Sequence, residues 1–250
     1  MLGPPFLPTS RRKGGRPSST PVEYVPFVTA AVAAVFAVEL IVRWRRRQQS
    51  LHLLWWTAGV ICFGVAVLAE ALVHRVGWSP LLFRVWYITG ALLGGAVLAQ
   101  GTVYLLMKRR TAHRLALTVS VYAALAALLV VLSPLEAGLT SDTALSGRVM
   151  EWGWVRFLTP ALNLYAVVFL VGGAVWSSLT FWRGGGARTR PIGNALIALG
   201  AIAPALRGTV TRLGLADTIY LTELVGLALI YIGYRIVSGS GLRPEAAART

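Results

Sequence analysis

Charge is what this chain has least of. Only 13% of its 250 residues are charged, about half the share of an ordinary soluble domain. Acids are scarcer than bases: 9 Asp and Glu stand against 24 Lys and Arg, for a net charge of +15. The single cysteine, Cys62, excludes an intrachain disulfide and any cysteine-rich metal or iron–sulfur site. Three histidines and so few acids leave little for hydrolysis or metal chemistry. No H-E-x-x-H, G-x-S-x-G, P-loop or dinucleotide-binding glycine pattern occurs. An enzyme is therefore not expected, nor is any cofactor or metal.

What the chain does have is apolar length. Hydrophobic residues make up 56% of it, gathered into seven stretches long enough to cross a bilayer. The expected fold is an all-α integral membrane protein with spans over about 23–44, 52–74, 81–107, 114–132, 156–182, 192–213 and 218–237. Residues 1–21 are rich in Pro, Gly, Ser and Arg and cannot make a core, so a disordered basic tail is expected there. It does not read as a signal peptide, because no short apolar run and cleavage site follow its basic cluster. Residues 22–237 form the transmembrane domain, and 238–250 a short cytoplasmic tail.

The basic residues flank the apolar runs. Taken alone, the charge would suit nucleic acid. Beside membrane spans it reads instead as a topology signal and as contact with anionic lipid. With seven spans, fourteen Lys and Arg fall on the side of the loops after spans 1, 3 and 5, and five on the other, apart from the N-terminal tail. The rule that basic loops stay inside then places the N-terminus outside and the C-terminus in the cytoplasm. Trp44, Trp55, Trp56, Trp78, Trp152, Trp154 and Trp182 fall near span ends, as an interfacial belt would. The Arg-, Ala-, Gly- and Val-rich composition suits the plasma membrane of a prokaryote.

A weak internal similarity links the two ends of the chain. Ala69-Glu70-Ala71-Leu72 before Arg75-Val76-Gly77 resembles Ala203-Pro204-Ala205-Leu206 before Arg212-Leu213-Gly214. Tyr87-Ile88-Thr89-Gly90 then answers Tyr220-Leu221-Thr222-Glu223. Spans 1–3 would repeat as spans 5–7, with span 4 as linker, a 3+1+3 layout with a parallel pseudo-repeat. That outline is similar to the SWEET-type sugar transporters and to the seven-span sensor regions of some histidine kinases. No Pro-Gln motif stands at the expected places, and neither outline is specific enough to carry residues across.

The polar residues inside the spans carry the functional expectation. An ionisable side chain at mid-bilayer costs a few kcal/mol or more, so it needs a partner or a water-filled site. On the expected topology Glu70, His74, Arg84, Tyr87, Arg207, Tyr220 and Glu223 share a depth towards the outer leaflet. They form the candidate ligand or ion pathway, with Glu70 set to pair with Arg84 and Glu223 with Arg207. A purely structural pair of ion clamps is the competing account. Glu39 reads as an i,i+4 partner of Arg43. Gln100 and Asn163 read as ties between helices, and Gly90, Gly94, Gly95 and Gly101 as a flat packing face. His52 and His113 share a depth but read as wetted interfacial side chains, not as haem ligands.

Two functions fit. The first is a small-solute or proton-coupled transporter or channel. The second is a seven-helix sensor or accessory subunit, which would need a partner in a membrane complex. A homo-oligomer is compatible with either.

Overall fold

The computed structural model describes residues 24–46, 50–136, 145–183, 192–202 and 216–239. The expected N-terminal tail and residues 240–250 lie outside them. Among the described residues six helices are long and apolar enough to cross a membrane. We label the helices α1 (Val25–Arg46), α2 (Leu51–Val76), α3 (Pro80–Leu106), α4 (Arg109–Leu132), α5 (Thr159 to Arg183), α6 (Ile192–Ile202) and α7 (Ala216–Gly239). At 26 residues, α2 is ~39 Å long at 1.5 Å per residue, enough to cross a ~30 Å hydrocarbon layer.

The distribution of side chains is that of a membrane protein. Val35, Leu117, Leu125, Phe157, Leu164 and Val168 are exposed on the outer faces, where water would penalise so large an apolar surface. Glu70, Gln100, Asn194 and Glu223 are buried. Lipid offers no hydrogen bonds, so span hydroxyls turn back on their own helices. Thr29, Thr57, Thr89 and Thr180 each donate to the carbonyl four residues earlier, at 2.7–2.9 Å.

Three apolar clusters hold the bundle. Phe36 and Leu40 of α1 pack with Leu53 and Val60 of α2 and with Leu227 and Tyr234 of α7. Leu92 and Ala96 of α3 pack with Ala123 and Ala126 of α4 and Leu162 of α5. The third joins Phe83 and Tyr87 of α3 and Val130 of α4 to Val149, Met150 and Val155. The last three belong to residues 134–155, which lie between the expected spans 114–132 and 156–182 and so read from the sequence as their connecting loop. Instead Leu135 bridges Met150 in antiparallel fashion, and 3₁₀ turns at Gly147–Val149 and Gly153–Leu158 lead into α5. The apolar residues of that stretch fold down as a cap on α3, α4 and α5.

Helix ends differ from expectation by a few residues. The largest difference is α4, which begins at Arg109, not near 114, because only Met107 and Lys108 separate it from α3. Gly77, at φ 90°, turns the chain after α2. Ser79 then caps α3 by accepting from the Leu82 N–H at 3.2 Å, with Pro80 at the first helical position. Span 6 is described only as far as Ile202.

Neither α3 nor α5 is a regular helix. Each contains a π-helical segment, Tyr87–Gly94 in α3 and Val167–Val171 in α5. Such segments are rare and concentrate at functional sites. They fall on helices that the expected repeat does not equate, since it pairs span 3 with span 7 and span 5 with span 1.

Candidate functional site

A cavity of about 480 Å³ lies between α1, α2, α3, α5, α6 and α7. Four of them contribute a stripe at helical spacing, while α1 adds Phe36 and α6 adds Gly200 and Ala201. On α2 the stripe is Val60, Phe63, Val67 and Glu70; on α3, Trp86, Gly90, Gly94 and Leu98; on α5, Asn163, Val167 and Leu170; on α7, Glu223, Leu227 and Ile230. Both π-helical segments therefore form part of the wall.

The two acids stand at one end of it. Near their shared end, His74 of α2 and Tyr220 of α7 hydrogen-bond at 2.7 Å. Near the opposite end, Trp56 of α2 meets Tyr234 of α7 edge to face at 6.2 Å. The two helices are thus antiparallel. Glu70 is the last cavity residue of α2 and Glu223 the first of α7, so both carboxylates face the same end, one turn below the His74–Tyr220 bond. Each residue is only 6% exposed. Neither lacks a polar or electrostatic partner.

The sequence had grouped seven residues at this depth, and the structure separates them. Glu70 and Glu223 line the cavity. His74 and Tyr220 bond to each other beside it. Arg84 does not pair with Glu70 as expected. Its Nη2 donates to the Ser133 carbonyl at 3.2 Å, on the far side of α3, and its Nε is buried without a partner. The reason is rotational: Arg84 shares a depth with Glu70 but points towards α4. Tyr87 also turns away, sharing a 2.9 Å hydrogen bond with Thr159 at the start of α5. Arg207, and with it the expected Glu223–Arg207 pair, lies outside the described residues.

Other expected pairs change too. Glu39 is not bound by Arg43 of its own helix. Its Oε2 accepts from Tyr231 at 2.8 Å and Arg235 at 3.0 Å, both on α7. Arg43 lies instead over the ring of Tyr234, 5.3 Å from its centroid. Gln100 ties helices as expected: its Nε2 donates to the Ala112 carbonyl of α4 at 3.0 Å, and its Oε1 accepts from Tyr165 of α5. Asn163, expected as a similar tie, lines the cavity. Sequence reasoning missed the aromatic wall of Phe36, Phe63 and Trp86. The four-residue spacing of Trp86, Gly90 and Gly94 was the available signal.

Small residues both close and open this site. A Cβ on Gly90 would lie 2.8 Å from that of Ala66, and one on Gly95 2.9 Å from that of Ala166. Their absence lets α3 approach α2 and α5. Gly94 and Ala91 beside them leave free volume. Among the described residues, no three His, Cys, Asp or Glu lie close enough to hold a metal ion.

These features define the class: a multi-pass α-helical membrane protein with a cavity whose acids gather at one end. No protein-family model, curated protein or solved structure matches the chain.

Proposed function

We propose that the protein is a small-solute or proton-coupled transporter or channel whose site is the cavity ending at Glu70 and Glu223. The observation that carries this reading is their convergence, from helices far apart in sequence, on one internal space. A structural clamp would need the two acids but not the space. The π-helical walls add support, since π segments are frequent at functional sites. The proposal involves no chemical conversion.

On the basic-residue count, the acid end faces the outer leaflet of a plasma membrane, with the N-terminus outside. In this reading the apolar residues from Ile192 to Leu213 make the seventh crossing, and any 3+1+3 repeat has diverged at its charged positions. The cytoplasmic arginines would then hold anionic lipid.

Flux into proteoliposomes tests the proposal, with proton movement read by an internal pH dye and solute exchange by counterflow. Glu70→Gln and Glu223→Gln should abolish flux while each variant still folds. Undiminished flux in both would refute the reading. A sensor or accessory subunit predicts instead a stoichiometric partner on mild extraction, and no flux from the purified chain.

A further inference from the structure

We propose that Phe36, Trp56, Tyr231 and Tyr234 form a gate that shuts the cavity at the end away from the acids, held closed by Glu39. The proposal rests on the transport or channel reading above and concerns how its site reaches the second side of the membrane.

The cavity ends where these rings begin. Its last residues in that direction include Phe36 on α1, Val60 on α2, Leu98 on α3 and Ile230 on α7. Trp56 precedes Val60 by four residues and Tyr234 follows Ile230 by four, so each stands one turn further on, on the same helix face. The two rings meet edge to face at 6.2 Å. Trp56 also lies against Gly101 of α3, where a Cβ would strike its ring. One side chain of α2 thus crosses the floor from α3 to α7. Phe36 closes the α1 side, its ring 5.0 Å from that of Tyr231 and 5.3 Å from that of Tyr234.

The layer is thin. Glu39 stands three residues beyond Phe36, a rise of about 4.5 Å along α1. The side chains of Glu39 and Arg235, which pair at 3.0 Å, are 24% and 62% exposed. Charges so exposed are costly against hydrocarbon, so this end meets headgroups or water. A single aromatic layer therefore divides the cavity from a polar surface. Tyr231 belongs to both sides of that division. Its ring packs on Phe36, and its hydroxyl donates to Glu39 at 2.8 Å. The bond ties α7 to α1 through the layer itself, and breaking it lets the two helices part and the rings separate. Arg43, 5.3 Å over the Tyr234 ring, adds a cation–π contact between the same helices.

The test asks from which side a thiol in the cavity can be reached. In the full chain carrying Cys62→Ala, Ala91→Cys puts a thiol in the cavity wall, away from the rings. Impermeant methanethiosulfonates of each charge sign are added to membrane vesicles on the side from which Arg46→Cys reacts. The thiol should label slowly behind the intact gate. Trp56→Ala leaves a hole in the floor and should speed labelling roughly tenfold or more. Tyr231→Phe keeps every ring and removes only the bond to Glu39. It should speed labelling roughly threefold to twentyfold, the population shift that one interhelical hydrogen bond supplies. Should Trp56→Ala fail to fold, Tyr231→Phe decides. Labelling from the opposite side is the control, since a merely loosened fold would react faster from both.

Unchanged labelling in either folded variant, or equal acceleration from both sides, would overturn the proposal. The parent reading is judged separately by flux. Acid-dependent flux with unchanged labelling refutes the gate and spares transport. One-sided acceleration without any flux supports the aromatic barrier and refutes transport.

Discussion

Gln100 offers the most direct measure of what polar ties contribute to this bundle. Its side chain is wholly buried, with the amide nitrogen on the Ala112 carbonyl and the amide oxygen on the Tyr165 hydroxyl. One residue thus joins α3 to α4 and α5. Gln100→Met keeps nearly the same volume and removes both bonds, so no cavity term enters. Interhelical hydrogen bonds in membranes average about 0.6 kcal/mol and reach about 1.7. Two bonds give roughly 1.2 kcal/mol at the average and roughly 3.4 at the limit. Ala112 is in the first turn of α4, and its carbonyl retains the helical N–H of Ala116 as a partner. That places the cost in the lower half of the range, about 1–2 kcal/mol.

The assay is reversible unfolding in mixed micelles of rising dodecyl sulfate content. Tyr165→Phe, which removes one bond only, should cost about half as much. The double variant should show a coupling of about 0.6 kcal/mol or more between the two positions. A Gln100→Met variant as stable as the parent, or a coupling of zero with Tyr165→Phe, would refute the reasoning.

Further outcomes are expected at other positions. Gly101→Ala drives a Cβ into the Trp56 ring and should cost about 1–3 kcal/mol by overpacking. Gly172→Ala, whose nearest neighbour would be 3.9 Å away, should be neutral or stabilising by up to about 1 kcal/mol; equal effects in the same unfolding assay would contradict the packing account. Gly77→Ala meets no atom within 4 Å but sits at φ +90° and ψ 170°, so its cost of about 1–3 kcal/mol is backbone strain alone, and it should match that of Gly77→Leu. Arg235 is 62% exposed on its side chain, so Tyr231→Phe should destabilise more than Arg235→Ala, and the opposite order would mean that the ion pair, not the phenol, secures Glu39. With Cys62 replaced by Ala, an impermeant maleimide should label Val76→Cys from outside intact cells and Arg46→Cys only after permeabilisation. The reverse pattern would invert the proposed topology.

The spans were legible because bilayer thickness fixes their length and composition, and their depth order followed from connectivity. Partner choice was not legible, because it depends on helix rotation, which hydropathy barely records in a segment that is apolar all round. Arg84 shows this. Its depth matched Glu70, yet α3 turns it to Ser133. Glu39 shows it again, since the local partner Arg43 was available and α7 supplied two better-placed donors. The cap over 145–158 was readable in part: Val149, Met150 and Val155 are too apolar for a solvated loop, and polar neighbours concealed them. The π segments left less trace. The hydroxyl of Thr89 takes the Val85 carbonyl at 2.7 Å, and a threonine in a span does this in ordinary helices too.

Glycine and alanine were the most ambiguous letters. In a span they read as surfaces for close packing, and Gly90 against Ala66 bears that out. The same residue lines the cavity, so contact and void arise from one stripe. The difference lies in what stands opposite. Where α2 presents Ala66, the helices touch; where the small residues of α3 look across towards α6 and α7, the described residues leave the gap open. Glu70 sits one turn beyond Ala66 on the same face of α2, at the edge between contact and void. An acid there is held by a packed helix pair on one side and meets open volume on the other. This placement, more than its burial, separates Glu70 from Glu39, whose carboxylate is held by Tyr231 and Arg235 of α7.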